Sequence, residues 1–319
     1  MLLVVSRDER LGKAPVPMSK VWLVTGSSRG LGLEVAKAVL AAGDRLVATA
    51  RNPKDVQALV DQHGDRVRAV ELDVTRPASA RAAVDVARSA FGRLDVVVNN
   101  AGYANVNSIE DVAEDDFRAQ IETNFFGVVN VTRAALPLLR AQRSGHIIQI
   151  SSIGGRGATQ GIAAYQSAKW AVGGFSEVLA KEVGPLGIRV TVIEPGGMRT
   201  DWSGSSMRID PIQPDYQATV GAFAAVMRGK PYAAQSDPAK VARVVLAVVD
   251  EPRPPLRLLL GSDAVFMAEV VAKARAQEDS AWRAVSFSTD ADGIPTFAET
   301  PVAQYLLSQQ PEPTRPSAG

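Results

Sequence analysis

Two residues of this chain, Tyr165 and Lys169, combine an acid–base group with a positive charge at a helical spacing. They are four positions apart in a segment of helical periodicity, so both side chains are expected on one face of the helix. A free tyrosine has a pKa of about 10, too high for efficient proton transfer at neutral pH, and a neighbouring ammonium group lowers it. The pair therefore predicts acid–base chemistry in which Tyr165 moves the proton. Lys169 could also bind the hydroxyls of a cofactor ribose.

A pair of hydroxyl side chains, Ser151 and Ser152, follows the apolar run at residues 146–150, which is typical of a β-strand. Ligands of parallel α/β sheets bind at the carboxyl ends of the strands, where such a hydroxyl can donate to a substrate oxygen. The residues alone leave open which of the two serines does so.

A glycine-rich turn joins the first apolar run, residues 21–25, to a helical segment at residues 30–42. Its sequence is Gly26-Ser27-Ser28-Arg29-Gly30-Leu31-Gly32. Glycines permit a tight turn and the close approach of a pyrophosphate, and the following helix offers free N–H groups and the positive end of its dipole. The turn predicts a dinucleotide site.

The second apolar run, residues 45–50, indicates which dinucleotide is bound. An NAD site usually ends this strand with a carboxylate for the ribose hydroxyls, but Arg51 follows here. Arg29 and Arg51 can instead pair with the 2′-phosphate of NADP. Asp73, after the third strand, could accept a bond from the adenine amino group or cap the turn at residues 75–77, and both interpretations stay open.

Further motifs stand in order along residues 20–265. They are Thr25-Gly26 with Gly30-Leu31-Gly32, Asp73-Val74, Asn99-Asn100-Ala101-Gly102, Asn124, Ser151-Ser152, Tyr165 with Lys169, and Pro195-Gly196 with Thr200. In this combination and order the chain resembles the short-chain dehydrogenase/reductase family. The resemblance implies a Rossmann-type fold and an oxidoreductase that transfers a hydride to or from a carbonyl or alcohol carbon, and Arg29 and Arg51 favour NADP(H) as its cofactor.

The same resemblance implies residue roles. The catalytic residues would be Asn124, Ser152, Tyr165 and Lys169. The family's serine lies thirteen residues before its tyrosine, which selects Ser152, and Asn124 would hold a water that links Lys169 to solvent. Thr200 would lie at the nicotinamide carboxamide. The expected cofactor contacts are Gly26, Ser28, Arg29, Gly30, Leu31, Gly32, Arg51, Asp73, Val74, Asn100, Ala101, Gly102, Tyr165, Lys169, Pro195, Gly196 and Thr200.

Composition excludes several function classes. The 319 residues are 46% hydrophobic and 22% charged with a net charge of +1, which is ordinary for a globular protein and offers no basic tract for nucleic acid. The chain has no cysteine, and its two histidines, His63 and His146, lack the spacing of metal ligands. No apolar run reaches the length of a membrane span. We expect a cytoplasmic protein without metal, nucleic-acid or membrane partners.

Apolar runs alternate with helical segments, which favours a doubly wound parallel sheet of seven strands in a three-layer α/β/α domain. We expect an N-terminal extension or cloning remnant at 1–18, one domain at 19–285 and a flexible C-terminal tail at 286–319. Long helices are predicted at about 114–140 and 163–183. Residues 201–236 interrupt the alternation and are interpreted as a substrate loop.

The expected substrate is a hydrophobic ketone or its alcohol, because the candidate pocket residues are apolar, aromatic or small. They are Tyr103, Ile153, Gly154, Met198, Trp202 and Met207. Arg199 and Arg208 leave recognition of an anion open. A cofactor-sensing regulatory protein and an epimerase or dehydratase are the alternatives, and the complete Asn124, Ser152, Tyr165 and Lys169 set favours the reductase. Trp170, Gly173 and Gly174 on the second long helix suit close packing, so we expect a homodimer or homotetramer.

Overall fold

The computed structural model describes residues 19–200, 207–229 and 234–308. Within these ranges seven strands form a single parallel sheet in the order β3-β2-β1-β4-β5-β6-β7. The strands are β1 (Val21–Val24), β2 (Arg45–Ala50), β3 (Val67–Glu71), β4 (Val96–Asn99), β5 (Gly145–Ile150), β6 (Ile188–Pro195) and β7 (Arg257–Leu260). The expected seven-stranded, doubly wound fold is confirmed.

Helices cover both faces of the sheet, because the strands carry apolar side chains on both sides. Trp22 and Ile148 point into one core cluster with α1 and α8, whereas Leu23 and Ile147 pack on the other face with α3, α5 and α6. The helices are α1 (Gly30–Ala41), α2 (Gln57–His63), α3 (Pro77–Phe91), α4 (Glu114–Ile121), α5 (Gly127–Gln142), α6 (Ala163–Val183), α7 (Ala222–Arg228), α8 (Pro238–Asp250), α9 (Ser262–Phe287) and α10 (Pro301–Ser308).

The direction of winding reverses between β1 and β4. From β1 the chain runs outward through β2 and β3, then returns to β4 on the other side and continues to β7. The loops that leave β1 and β4 therefore diverge and open a crevice at their carboxyl ends, which is where doubly wound sheets bind ligands.

The helix expected at residues 114–140 is interrupted by a wider turn. Between α4 and α5 the residues Glu122–Phe126 form one π-helical turn. A hydrophobic pattern does not reveal such a single-turn insertion, which is often found at functional sites. Gly127 follows directly, and a side chain there would clash with Val74.

Two helices between β6 and β7 were not predicted from the sequence. The first, α8, packs on α1, and Asp237 caps it by accepting hydrogen bonds from the backbone of Ala239 and Lys240 at 2.8 and 3.2 Å. An Asp-Pro pair before an apolar run is a helix-start signal that would have revealed it. The second, α7, lies within the expected substrate loop.

The C-terminal region has more structure than its polar composition indicates. The helix α9 extends to Phe287, and α10 forms within the segment expected to be a flexible tail. Ala303 of α10 is buried. The expected N-terminal extension at 1–18 lies outside the described residues.

Candidate active site

The turn between β1 and α1 is built around glycine. Gly26 has a φ of +67°, a conformation that favours glycine, and a side chain on Gly32 would clash with the carbonyl oxygen of Gly26. Arg29 is the extended residue before α1, and among the described residues no side chain caps the first N–H groups of the helix. These donors remain available for an anion.

A cavity of about 970 Å³ begins at this turn and continues along the carboxyl ends of the strands. Most of the residues predicted from the sequence line it. They are Gly26, Ser28, Arg29, Gly30, Leu31, Arg51, Asp73, Val74, Asn100, Ala101, Gly102, Tyr103, Asn124, Ser152, Ile153, Gly154, Tyr165, Lys169, Pro195, Gly196, Met198 and Thr200. Gly32 is buried beneath the turn, and Trp202 lies outside the described residues.

Two guanidinium side chains, Arg29 and Arg51, lie at the entrance of the cavity and are exposed. β2 ends at Ala50, and Asn52 caps the short helical turn that follows by accepting from the backbone of Lys54 at 3.2 Å. Positive charge thus occupies the place where a ribose-binding carboxylate would be expected.

The polar residues at the ends of β3 and β4 have different environments. Asp73 accepts from the backbone and hydroxyl of Thr75 at 3.0 and 2.7 Å, so it caps the turn while also lining the cavity. The Asn100 amide donates to the carbonyl oxygens of Thr25 and Gly26 at 2.9 and 3.2 Å and shapes the glycine turn. Asn99 points into the protein and donates to Gln149 at 2.8 Å.

The loop after β6 closes the cavity from the other side. The Gly196 backbone donates to the carbonyl oxygen of Leu260, and the Gly197 backbone donates to the carboxylate of Asp263 at 2.7 Å. A side chain on Gly196 would clash with the same carboxylate. This arrangement places Thr200 beside Gly30 of the first turn.

The Tyr165 and Lys169 side chains share one face of α6, as their spacing predicts, and both are buried. Lys169 Nζ lies 5.5 Å from the centre of the Tyr165 ring. Burial lowers the pKa of Lys169 to about 8. Burial also raises the pKa of Tyr165 to about 12, although a hydrogen bond with Ser152 lowers it in part. In the protein chain by itself, desolvation of the phenolate dominates the pKa of Tyr165. Stabilisation of the phenolate by Lys169 stays a prediction.

The two serines after β5 make different hydrogen bonds. The Ser151 hydroxyl is buried and donates to the backbone carbonyl of Lys169 at 3.3 Å. Both serines line the cavity, but Ser152 is the one hydrogen-bonded to Tyr165, and it accepts from the backbone of Gly154 at 3.0 Å. The geometry therefore favours Ser152 as the substrate-facing hydroxyl.

The π-helical turn presents Asn124 to the base of the cavity. Its amide nitrogen donates to the carbonyl oxygens of Tyr103 and Gln120 at 2.9 and 2.8 Å, and its oxygen accepts from the Tyr103 backbone at 3.2 Å. A side chain on Gly102 would clash with the Asn124 oxygen and would lie 3.7 Å from Lys169 Nζ. Gly102 thus lets Asn124 and Lys169 approach the same point.

The far end of the cavity is apolar. Beside Ile153 and Met198, it has walls that were not among the candidate pocket residues, contributed mainly by α7, which lies within the expected substrate loop, and by α9. These side chains are Ile162, Phe223, Val226, Met227 and Met267. Met207, expected in the wall, instead packs behind Tyr165 in a small core with Val106 and Ile162. The apolar Met207 side chain therefore contributes to core packing.

One polar residue in this region, Gln166, was also not identified as a site residue from the sequence. It follows Tyr165 on α6, is buried and lines the cavity. Its side-chain oxygen accepts from the Thr159 backbone at 2.8 Å.

A buried ion cluster lies next to the site. Glu194 of β6 is fully buried and accepts from Arg156 Nε at 2.7 Å and from Arg257 Nε at 3.0 Å. Arg257 also donates to Glu177 of α6 at 2.7 Å. Since Arg156 follows the Ser152 loop, the cluster ties that loop to β6, β7 and α6.

Within the described ranges, no group of three or more histidine, cysteine or acidic side chains is arranged to hold a metal ion. None of the described helices has the length and apolar composition required to cross a membrane.

Comparison with known proteins agrees with this geometry. Residues 20–208 match the family model described as short chain dehydrogenase. Oxidoreductase BOA17 of Botryotinia fuckeliana is 53% identical over 273 residues, which cover 85% of this chain and all of that protein. A short-chain dehydrogenase from Streptomyces avermitilis has a TM-score of 0.80 and 38% identity, covering 86% of this chain and 99% of its own. An alcohol dehydrogenase from Thermococcus sibiricus, solved with 5-hydroxy-NADP, has a TM-score of 0.62 and 26% identity, covering 76% and 97%.

Proposed function

Since the chain belongs to the short-chain dehydrogenase family, we propose that it transfers a hydride between NADP(H) and a carbonyl or secondary alcohol carbon. One observation carries this proposal. Ser152, Tyr165 and Lys169 converge on a cavity that connects a glycine-rich anion cradle with an apolar chamber. This arrangement suits a dinucleotide at one end and a hydrophobic ketone at the other.

The residues present fit a bound dinucleotide. The uncapped N-terminus of α1 offers donors to a pyrophosphate, and the clash expected at Gly32 explains why the turn has no side chain there. Arg29 and Arg51 would hold the 2′-phosphate of NADP by charge-assisted hydrogen bonds. The Thermococcus enzyme solved with an NADP derivative supports this choice.

The cofactor, when bound, supplies the hydride acceptor or donor and, in its oxidised form, a positive charge. Tyr165 donates its hydroxyl proton to the carbonyl oxygen in reduction and takes a proton from the alcohol in oxidation. Its raised pKa keeps the hydroxyl protonated, which suits the reducing direction. Ser152 donates to the same substrate oxygen and orients it.

Lys169 stabilises the phenolate that proton donation leaves on Tyr165, and it binds the cofactor ribose. Asn124 holds a water that returns protons from solvent to Lys169. Asn124 Oδ1 and Lys169 Nζ both lie within 4 Å of the position that a Cβ on Gly102 would occupy, which supports this relay.

We also propose a homo-oligomer, dimer or tetramer, although the features of α6 that led to this expectation are partly covered. Arg275 of α9 lies over the Trp170 ring at 4.5 Å, and Arg257 packs against Gly173, while Gly174 has open space around it. Light scattering at micromolar concentration tests this proposal, and a stable monomer would reject it.

A panel of hydrophobic ketones with NADPH tests the proposed function. We expect stoichiometric NADPH oxidation and alcohol formation with bulky apolar ketones, and much lower kcat/KM with phosphorylated or carboxylated ones. Cofactor binding without turnover of any member would instead favour the regulatory alternative.

A further inference from the structure

In the side-chain amide of Gln166 the oxygen has a hydrogen-bond partner, whereas the nitrogen has none among the described residues. Its oxygen accepts from the Thr159 backbone N–H at 2.8 Å, and this donor determines which end of the amide is oxygen. The Nε2 group consequently faces the other way. Among the described residues Nε2 has no hydrogen-bond acceptor. It is not one of the fully buried polar atoms that lack a partner, and Gln166 lines the cavity.

This free donor is held in a well-defined position. Gln166 is 7% exposed, and it lies one residue after Tyr165 near the start of α6. When a substrate displaces water from the cavity, an amide donor left without an acceptor is costly. The apolar side chains that line the cavity, including Ile153, Ile162 and Phe223, carry no hydrogen-bond acceptor.

The donor also lies close to the reacting end of the substrate cavity. A Cβ atom built on Gly154 would lie 3.0 Å from Gln166 Nε2 and 3.4 Å from Ser152 Oγ. The amide and the serine hydroxyl therefore flank the same small gap. When the carbonyl oxygen of a substrate contacts Ser152, the neighbouring atoms of that substrate lie beside Gln166.

We propose that Gln166 is a specificity-determining residue that donates from Nε2 to a second oxygen of the substrate. The preferred ketones then carry a second carbonyl group whose carbon is β to the reacting carbon, as in a β-keto ester, on an otherwise apolar skeleton. This inference rests on the proposed reductase function. A ketone without that oxygen displaces water from the amide and leaves the donor unpaired, which lowers its affinity.

The test compares two substrates of equal chain length, ethyl 3-oxohexanoate and 4-nonanone, with NADPH. The ratio of their kcat/KM values is measured in wild type, Gln166→Met and Gln166→Glu at pH 8. Intrinsic reactivity cancels when ratios are compared between variants. The loss of one neutral hydrogen bond predicts that the preference for the keto ester falls about 5- to 10-fold in Gln166→Met, mainly through KM.

Gln166→Glu separates recognition from packing, because it keeps an acceptor for Thr159 but replaces the donor. It should lose the preference as well. Gln57→Met, an exposed glutamine on α2, is the matched control and should retain the wild-type ratio. An unchanged ratio in Gln166→Met, or a wild-type ratio in Gln166→Glu, would overturn the proposal.

Calorimetric binding of the two compounds to wild type and Gln166→Met provides a readout that does not depend on turnover. If neither compound is reduced, the proposed function fails, while a keto ester preference that Gln166→Met removes still supports the role of Gln166. Weakened NADPH binding with an unchanged compound preference would place the donor toward the cofactor and overturn the inference.

Discussion

Lys169 donates a hydrogen bond from Nζ to the carbonyl oxygen of Ile150 at 2.8 Å. Ile150 ends β5 and immediately precedes the two serines, so this bond ties the ammonium group to the segment that carries Ser152. Burial at this position also lowers the pKa of Lys169 to about 8. A group that titrates there gives the site a pH dependence in the ordinary working range.

The reduction rate should therefore fall as the pH rises through about 8. Below that pH Lys169 carries the charge that stabilises the Tyr165 phenolate, and above it the neutral amine does not. A profile of kcat/KM between pH 6 and 10 reports this free-enzyme pKa. Lys169→Arg, which stays charged, should have lower activity without the decrease above pH 8. The same decrease in that variant would assign it to another group.

Tyr165→Phe should lower kcat by about 10²- to 10⁴-fold, because the proton donor is lost while the ring still packs. Fluorescence titration should find NADPH affinity close to wild type. Ser152→Ala should reduce turnover by loosening the orientation of the carbonyl. If Tyr165→Phe kept more than about a tenth of the activity, outside the usual general-acid range, Tyr165 would not be the proton donor.

NADPH should be preferred over NADH by about 10²-fold or more in kcat/KM, since two guanidinium groups can contact the 2′-phosphate. Arg29→Ala and Arg51→Ala should each reduce that preference about tenfold, the effect of one lost charge-assisted bond. Steady-state kinetics with both cofactors measures it. Equal use of the two cofactors by wild type would exclude the assignment.

Arg156→Met should destabilise the protein by about 3 kcal/mol, because the fully buried carboxylate of Glu194 loses one of its two guanidinium partners. Arg156→Lys should recover only part of this loss, since lysine lacks the fork geometry. Urea unfolding gives the comparison. Arg88→Met, which breaks an exposed pair with Asp85, is the control and should cost about 1 kcal/mol or less. Equal losses at the two sites would contradict the proposed burial effect.

His146 should make folding sensitive to acid. Burial lowers its pKa to about 3, and Nε2 contacts the Thr191 hydroxyl at 3.0 Å while Nδ1 has no hydrogen-bond partner in the part of the chain that the structure describes. The unfolded chain binds a proton near pH 6.5 but the folded chain does not, so stability decreases as pH falls below 6.5. At pH 5 the loss is about 2 kcal/mol.

The non-titrating variant His146→Gln tests this assignment. Between pH 7 and pH 5 it should lose about 2 kcal/mol less stability than wild type, measured by urea unfolding at each pH. A wild-type pH dependence in the variant would attribute the acid sensitivity to carboxylates.

Local sequence patterns were sufficient to predict the sheet, its parallel strands, the glycine turn and the Tyr165–Lys169 pair, whereas other cavity residues such as Asn124 and Thr200 were implied by the family resemblance. Apolar runs such as 96–99 must be buried on both faces of the sheet. A glycine-rich turn after the first strand of such a fold is expected at the carboxyl edge of the sheet, where the dinucleotide binds. The spacing of Tyr165 and Lys169 likewise follows from helix geometry alone. These features depend on residues that are close together in the chain, so a pattern over a few residues is enough to predict them.

Other features depended on contacts between distant segments. The pKa of Tyr165 is set by how completely the folded protein excludes water, and no spacing to Lys169 encodes that. The apolar wall joins α7 and α9, Met207 packs behind the tyrosine, and Gln166 acquires its free donor only because Thr159 occupies the opposite end of its amide. Desolvation and hydrogen-bond pairing are properties of three-dimensional surroundings, so they emerge only when the chain is folded.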